Sequence, residues 1–408
     1  MSLPDIKPKS LYLLAAAIVF VSLLTAYKYI PKTDKEYAYL ADEGYYFYYA
    51  RDIAAEGIGR FRGLVKEHIA DKEASVYPAP TRFGYIWFSS LWLKLFGFKI
   101  RSLAQLSFFC QILFLIIAFL FLRKYFTGEE AVLITTLLSA SPLGLAMSKR
   151  ALSESASNLF NIITIWLFLN FMRDKKNYRY IYFAFSLVLA VFIKEIAIFL
   201  IPSFIVFMLL DKYAYRRPLK TGYLLGTLFV IPVCVFIIYS FVLHGWKDLL
   251  SVINVINYSS KHNIYALRFE FGPWYKYFID YMLISPLTLF LSLGFIFTAI
   301  LKGKDNDRTV IYFLCLFLTQ VLIYGFLANK GLRFVFIMDF VIRVFSVLML
   351  KEIFLRPGFN LGVRLAFAVF LIAAFDLFNF WELFCAGGGI YDPITFALLI
   401  FRGLVPKL

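Results

Sequence analysis

Apolar runs long enough to cross a lipid bilayer recur along the whole chain. A helix of about 20 apolar residues spans a hydrocarbon core of roughly 30 Å, and 61% of the 408 residues are hydrophobic. This composition predicts an all-α polytopic membrane protein. We predict eleven spans, with a half-span at 393–401 left open. The spans are 11–30, 101–122, 130–147, 153–172, 178–194, 195–210, 221–243, 280–301, 309–328, 332–350 and 362–384.

Basic residues between the apolar runs set the predicted orientation. Lys and Arg gather in the short cytoplasmic loops of membrane proteins, which accounts for the net charge of +16 without nucleic-acid binding. The N-terminus is then cytoplasmic, and segments 31–100 and 244–279 are the first and second extracytoplasmic loops. The clusters that mark the cytoplasmic side are Lys7 and Lys9, Arg123 and Lys124, Arg173 to Arg179, Lys212 to Lys220, Lys302 to Arg308, and Lys351 to Arg364.

A single transmembrane domain over residues 1–408, with no soluble C-terminal domain, accounts for the sequence. The run Leu11–Ile30 is too long for the apolar region of a signal peptide and has no Ala-x-Ala site, so we expect it to be retained. The four cysteines are scattered through apolar stretches, which argues against a disulfide framework and a cysteine metal site. We expect a multi-pass protein of the plasma membrane.

Two helices of the first extracytoplasmic loop are expected to lie in the membrane interface. Segment 84–98 is apolar but short, and if it crossed the membrane every later basic loop would be inverted. Trp87 and Trp92 would anchor it at headgroup level. The stretch Glu43–Glu56 is predicted to form the other helix, and Gly57 to end it.

An acidic pair, Asp42 and Glu43, stands just after the first span. An Asp at a helix start can cap it and favours the positive end of the helix dipole. A carboxylate within hydrogen-bond reach of an acceptor hydroxyl can also act as a general base. Asp42 can fill both roles. Tyr45 and Tyr46 follow on the face below it at helical spacing.

Charged residues also stand at the ends of apolar runs. Arg82 follows a Pro-x-Pro turn, where its fixed cation suits a phosphate oxygen, unless it only extends to the interface. Arg150 and Glu154 bracket the start of the fourth span. Lys194 and Glu195 join two runs without a polar loop, so they either neutralise each other or serve a function.

The last third of the chain adds further charges. Lys330 and Arg333, at an outer turn, are candidates for binding an anionic headgroup. Asp339 and Arg343, four residues apart in the tenth span, are expected to pair along one helix face. Asp376 could face a cavity, but the sequence offers no supporting neighbour.

Several motifs are absent from the sequence. The three His are too scattered for a His-built metal site, and there is no Walker-type loop or Gly-x-Ser-x-Gly elbow. We therefore expect no metal or nucleotide cofactor, although a divalent cation held by carboxylates is left open.

In their order and spacing, these motifs resemble those of the GT-C glycosyltransferases, and among them the protein O-mannosyltransferases and the lipid A aminoarabinose transferase. The resemblance covers roughly residues 1–210 and, more loosely, 330–350. This chain has Glu154 where the family often has Asp, Phe334 for a Tyr, and Met338 where a proline is common. The segments that carry the resemblance are Asp42 to Tyr46, Tyr77 to Trp87, Ser141 to Glu154, Phe192 to Glu195 and Lys330 to Phe340.

The resemblance implies a GT-C transmembrane helix bundle that passes a sugar from a polyprenyl-phosphate donor to an extracytoplasmic protein, lipid or glycan. It implies that Asp42 deprotonates the acceptor, with Glu43 as the second candidate, and that the anomeric centre inverts. Preorganised cations would stabilise the charge that grows on the leaving phosphate. The implied phosphate-binding residues are Arg82, Lys194, Arg333 and Lys330, and the supporting residues are Arg150, Glu154, Tyr45 and Tyr46.

Two other functions compete with this one. A non-enzymatic flippase or exporter of lipid-linked sugars would use charges at the bilayer midplane and inverted repeats, whereas this sequence has no internal repeat and its charges concentrate at the outer surface. A subunit that kept the fold but lost activity would have no need of the Asp42–Glu43 pair.

Overall fold

The computed structural model describes residues 8–32, 42–70, 78–243, 245–262, 267, 270–303, 307–327, 329–354 and 361–386. Within these ranges the chain is helical, and the β-structure consists of one isolated bridge between Phe271 and Asn329. Short 3₁₀ segments cover Ile58–Arg60, Glu195–Phe199 and Leu332–Val335, and π segments cover Leu210–Ala214, Gly226–Val230 and Glu382–Ala386. The α-helices are α1 (Pro8–Lys28), α2 (Asp42–Glu56), α3 (Phe61–Ala70), α4 (Phe83–Phe96), α5 (Ile100–Tyr125), α6 (Gly128–Ser139), α7 (Pro142–Ser148), α8 (Glu154–Asp174), α9 (Asn177–Ile193), α10 (Leu200–Leu209), α11 (Thr221–Leu225), α12 (Ile231–Val242), α13 (Trp246–His262), α14 (Lys276–Ile284), α15 (Pro286–Lys302), α16 (Arg308–Phe326), α17 (Phe336–Phe354) and α18 (Leu361–Trp381).

The all-α membrane fold class is confirmed. Seven of the described helical segments are long and apolar enough to cross a membrane, and the bent pair of α6 and α7 would be an eighth. The shorter apolar helices α9 and α15, together with the charge-bearing α17, occupy the three remaining predicted positions. A helix thus lies at each predicted position, while the number of spans stays a prediction. The half-span at 393–401 lies outside the described residues.

Prolines interrupt two of the predicted spans. The Ser141 hydroxyl caps α7 by accepting a hydrogen bond from the Gly144 N–H at 2.9 Å, and α6 and α7 meet at 58°. In the same way Pro286 starts a new helix, so the predicted span 280–301 is divided into α14 and α15 at Ser285. The prediction lacks both breaks, which follow because proline has no N–H for a continuous helix.

The segment between α1 and α5 folds back onto the bundle. Both helices predicted there are present as α2 and α4, and α2 ends where Gly57 takes a φ of +83°. The rings of Tyr46 and Tyr85 pack edge to face between them, with centres 5.2 Å apart. Gly84 allows α4 to approach α9 closely, since a Cβ there would lie 3.0 Å from the carbonyl carbon of Phe192. The location of these helices in the membrane interface stays a prediction.

Helix α8 lies at the centre of the bundle. Its buried Phe168 packs against Phe183, Phe204 and Tyr312, with ring centres 4.4 to 5.5 Å apart. The helix also packs against α5, α9 and α17. Its 21 residues place its two ends roughly 30 Å apart, so α8 connects the two opposite ends of the bundle.

A buried ion-pair network joins α14, α17 and α18. Arg343 donates to Asp339 at 3.0 Å and to Asp376 at 2.7 Å, Ser285 donates to Asp376 at 2.7 Å, and Tyr281 donates to Asp339. The predicted pair of Asp339 and Arg343 is confirmed. The expectation that Asp376 lacks a supporting neighbour is wrong, because the packing of α18 on α17 places its carboxylate beside Arg343.

Candidate active site

Asp42 and Arg333 meet at the start of α2. Asp42 is the first residue of that helix, and Arg333 lies in the 3₁₀ turn that precedes α17. Arg333 Nη1 donates to Asp42 Oδ2 at 2.6 Å, and Arg333 Nη2 lies 3.9 Å from Glu270 Oε1. Asp42 and Arg333 keep 20% and 17% of their side-chain surface exposed. A candidate base and a candidate phosphate ligand are therefore in contact, and both remain accessible.

Glu43 holds the start of α2 against the junction of α7 and α8. Both of its carboxylate oxygens accept from Arg150, from Nε at 2.8 Å and from Nη2 at 2.6 Å. The backbone N–H of Ala151 donates to the same carboxylate at 2.9 Å. Since Glu43 is also buried, its contacts position the neighbouring Asp42, and its role as the second candidate base stays a prediction.

Arg82 binds the carboxylate of Glu195. Its Nε and Nη2 donate to the two Glu195 oxygens at 3.0 and 2.9 Å, and its Nη1 donates to Ser153 Oγ at 3.3 Å. The guanidinium also lies 5.5 Å from the centre of the Tyr46 ring. The interpretation of Lys194 and Glu195 as a self-neutralising pair is wrong, because the chain turns between them and each side chain finds a different partner.

The partner of Lys194 is Glu154, at the first turn of α8. Lys194 Nζ lies 2.8 Å from Glu154 Oε1, and the side chains are 1% and 2% exposed. Lys194 also lies over the ring of Phe334, at 5.6 Å from its centre, and Phe334 adjoins Arg333. The other oxygen of Glu154 is buried and has no hydrogen-bond partner among the described residues.

These contacts form one continuous group, which we call the charged cluster: Asp42, Arg82, Glu154, Lys194, Glu195 and Arg333. Arg82 reaches Ser153 beside Glu154, Glu154 binds Lys194, and Lys194 reaches the residue beside Arg333. Burial lowers the pKa of Arg82, but the negative charges of Glu195, Glu154 and Asp42 raise it, so that it lies above its usual value. Arg82 therefore keeps its charge although it is largely removed from water.

Three other predicted residues lie around the cluster. Tyr46 packs under Arg82, while Tyr45 packs against Tyr49 with ring centres 6.1 Å apart. Lys330 is buried and donates to the Leu327 carbonyl at 2.5 Å. Its backbone N–H donates to the Glu270 carbonyl at 2.8 Å, on the side of the site where Arg333 lies. The roles predicted for these residues stay predictions.

Comparisons with known proteins identify the fold. Residues 80–239 match the family model of dolichyl-phosphate-mannose-protein mannosyltransferases. An uncharacterized protein of Aquifex aeolicus is 26% identical over 252 residues, which cover 60% of this chain and 48% of that protein. The oligosaccharyltransferase of Archaeoglobus fulgidus, solved with a tethered acceptor peptide, has a TM-score of 0.59 at 13% identity, over 94% of this chain and 55% of that one.

ArnT from Cupriavidus metallidurans gives a TM-score of 0.50 in two solved forms. The apo form is 14% identical and the form bound to undecaprenyl phosphate is 12% identical. They cover 97% and 98% of this chain, and 72% and 74% of their own. This chain has the GT-C fold. It spans about half the length of the Aquifex and Archaeoglobus proteins.

The residues matched by the family model include only part of the charged cluster. The family-model match contains Arg82, Glu154 and Lys194, whereas Asp42 and Arg333 lie outside it. The bundle brings these last two residues together although they are 291 positions apart. The contact between Asp42 and Arg333 is therefore formed by tertiary packing within the GT-C fold.

Sequence reasoning missed the partner of each cation. Neither Glu270, beside Arg333, nor Ser153, beside Glu154, is singled out by a motif. Pairs such as Arg82 and Glu195, 113 positions apart, leave no local pattern. The sequence indicated only that charged residues stand at the ends of apolar runs, where they need partners.

Proposed function

We propose that this GT-C chain is a membrane glycosyltransferase that moves a sugar from a polyprenyl-phosphate donor to an extracytoplasmic acceptor. The observation that carries the proposal is the contact between Asp42 and Arg333 at the accessible side of the charged cluster. A carboxylate able to accept a proton and cations able to hold a phosphate thus share one region. The structure of ArnT with bound undecaprenyl phosphate supports a lipid phosphate as the donor group.

The three cations of the cluster are suited to hold the donor phosphate. Arg82 and Arg333 present planar guanidinium groups, which bind phosphate oxygens in pairs, and Lys194 adds a compact charge. Arg82 and Lys194 are each fixed in place by a carboxylate partner. Cations held rigidly where water is scarce stabilise the negative charge that grows on a leaving phosphate.

Asp42 is the proposed general base. It takes the proton of the acceptor hydroxyl while the hydroxyl oxygen forms a bond to the anomeric carbon of the sugar. The bond from that carbon to the phosphate oxygen breaks, and its electron pair leaves with polyprenyl phosphate. A single displacement of this kind inverts the anomeric centre. Glu43 is less suited to the step because both its oxygens are already occupied by Arg150.

The pair of Asp42 and Arg333 suggests an order of binding. Arg333 Nη1 lies 2.6 Å from Asp42 Oδ2, so the guanidinium occupies the carboxylate oxygen that would accept the proton. A donor phosphate that binds Arg333 competes with Asp42 for its hydrogen bonds. Donor binding would therefore release the Asp42 carboxylate, so that the base is free to reach the acceptor hydroxyl only when the donor is present.

Glu154 offers a contact for the sugar. Its second oxygen is buried without a hydrogen-bond partner among the described residues, and it belongs to the carboxylate that Lys194 holds. A buried acceptor left unsatisfied costs free energy that a hydroxyl donor can recover. A donor sugar hydroxyl bonded to this oxygen would place the sugar between Lys194 and Asp42.

The proposal can be tested by a donor-turnover assay in lipid nanodiscs. Purified wild-type protein is offered a panel of polyprenyl-phosphate sugars together with candidate acceptors, and released polyprenyl phosphate is measured. Asp42→Asn keeps the size and polarity of the side chain but removes the base. Asp52→Asn, in the same helix but paired with Arg51 and Arg60 away from the cluster, is the matched control.

Loss of a general base lowers the rate by about 100-fold or more, so we expect wild type and Asp52→Asn to turn over donor and Asp42→Asn to fail. Equal turnover by all three proteins would remove Asp42 from the chemistry. Donor binding and transbilayer movement without turnover in any of the proteins would instead favour the flippase function.

A further inference from the structure

A positively charged cavity lies at the opposite end of the bundle from the charged cluster. It begins where α8 ends at Asp174, so the length of one membrane-spanning helix separates it from Glu154. Its volume is about 650 Å³, within the range of sites that bind small molecules. The cavity is lined by Lys175, Lys212, Arg216, Arg217, Pro218, Leu219, Lys220 and Tyr223.

The cavity carries a strong positive charge. None of the eight lining residues is acidic, and the nearest carboxylate, Asp211, is buried. Asp211 already lies 2.6 Å from Arg308, 2.8 Å from Lys175 and 4.0 Å from Arg217. Lys212, Arg216 and Lys220 form no ion pair among the residues that the structure describes, so their charges are available to an anionic ligand.

Backbone strain is concentrated at the same place. Lys175 and Arg216 have φ values of +51° and +52°, and they are the non-glycine residues with positive φ in the described part of the chain. Glycine avoids the steric cost of this conformation. Cations stand instead at both positions, and both line the cavity. Strain that persists in this way is found at ligand sites more often than elsewhere.

Helix α9 begins beside the cavity and carries apolar surface. The Tyr223 hydroxyl binds the Lys175 carbonyl and the Asn177 side chain, which joins the cavity to the first turn of α9. From there α9 exposes an apolar stripe at helical spacing. The residues of this stripe are Tyr178, Ile181, Tyr182 and Phe185. The cavity therefore lies next to a helix whose outer side is apolar, and the stripe is on the side of α9 away from Tyr180, whose ring packs against Tyr223.

We propose that this cavity binds the phosphodiester headgroup of an anionic phospholipid, in the leaflet opposite to the charged cluster. Basic pockets between membrane helices bind such headgroups. Lys212, Arg216 and Lys220 contact the phosphate, and the acyl chains extend into the surrounding bilayer. The inference is independent of the proposed transferase function, since it rests on a different cavity.

Lipid binding to the purified full-length protein in detergent tests this proposal. Native mass spectrometry measures the affinity for phosphatidylglycerol, with phosphatidylcholine and free glycerol phosphate as competitors. The cavity variant is Arg216→Gly/Lys220→Gln, in which glycine also relieves the strained φ and should preserve folding. The control variant, Arg123→Gln/Lys302→Gln, removes the same charge from exposed side chains outside the cavity.

We expect wild type and the control variant to bind phosphatidylglycerol with similar affinity, and the cavity variant to bind it at least about tenfold more weakly at an unchanged unfolding temperature. Equal losses in both variants would show attraction to the surface charge in general and overturn the site. Glycerol phosphate that binds as tightly as the lipid would overturn the assignment to a phospholipid. Equal affinity for phosphatidylcholine would overturn the anion selectivity.

Discussion

Replacement of Lys194 by Met should destabilise the protein strongly, because it leaves the Glu154 charge buried alone. The two side chains lie 2.8 Å apart and are 1% and 2% exposed. At an effective dielectric constant of about 20, their gross Coulomb attraction is roughly 6 kcal/mol. Removal of one partner of such a pair typically costs about 3–5 kcal/mol, since a buried charge loses its compensation.

An exposed ion pair of the same length supplies the control. Lys302 and Glu352 lie 2.7 Å apart, but their side chains are 48% and 39% exposed. In water the gross attraction falls to roughly 1.5 kcal/mol, and measured contributions of such pairs are about 1 kcal/mol or less. Lys302→Met should therefore lower the free energy of unfolding much less than Lys194→Met, although both substitutions remove the same group.

The assay is denaturant unfolding of the purified variants in mixed micelles. A double variant, Lys194→Met/Glu154→Gln, removes both charges and should recover most of the stability lost in Lys194→Met. Its donor turnover should nevertheless remain low, because a phosphate ligand is missing. The reasoning would be refuted if Lys194→Met cost no more than Lys302→Met, or if the double variant were as unstable as Lys194→Met.

Three further predictions concern the same region. Gly84→Ala should destabilise the protein by about 1–3 kcal/mol, because the new Cβ would lie 3.0 Å from the backbone of α9. Gly222 has open space around it, so Gly222→Ala should be neutral or stabilising when both variants are compared in a thermal unfolding assay. Arg82→Ala should raise the dissociation constant for the lipid donor more than that for the acceptor, and equal losses would exclude Arg82 from the phosphate site. Glu43→Gln should leave Arg150 without its buried carboxylate and cost about 3–5 kcal/mol; unchanged stability with lost turnover would instead make Glu43 a catalytic acid or base.

Much of the fold could be predicted because it depends on local composition. Long apolar runs predict helices, because in lipid every backbone N–H and C=O must be hydrogen-bonded within the protein. Described helices lie at all eleven predicted span positions. Gly57 ended α2 as expected, because a positive φ suits glycine. The break at Ser285 was missed although Pro286 marks it, since an apolar run conceals a single interruption.

The candidate site was predictable only as a set of unconnected charges. Asp42 was selected as part of an acidic pair after the first span, Arg82 because it follows a Pro-x-Pro turn, and Arg333 because it lies at an outer turn. Lys194 was selected because it stands where two apolar runs meet, and a charge there is costly. Nothing local indicated that Arg82 would bind Glu195 or that Asp376 would bind Arg343. Such pairs depend on which helices become neighbours.

The sequence by itself therefore determined an α-helical membrane bundle and the residues that carry its charges. Only the tertiary structure decided which charges meet, since Asp42 and Arg333 are 291 positions apart, and Lys194 and Glu154 are 40. The physical reason lies in the range of the forces. Helix formation depends on neighbours a few residues away, whereas an ion pair stabilises only when packing brings its two groups within a few ångströms in a poorly solvated space.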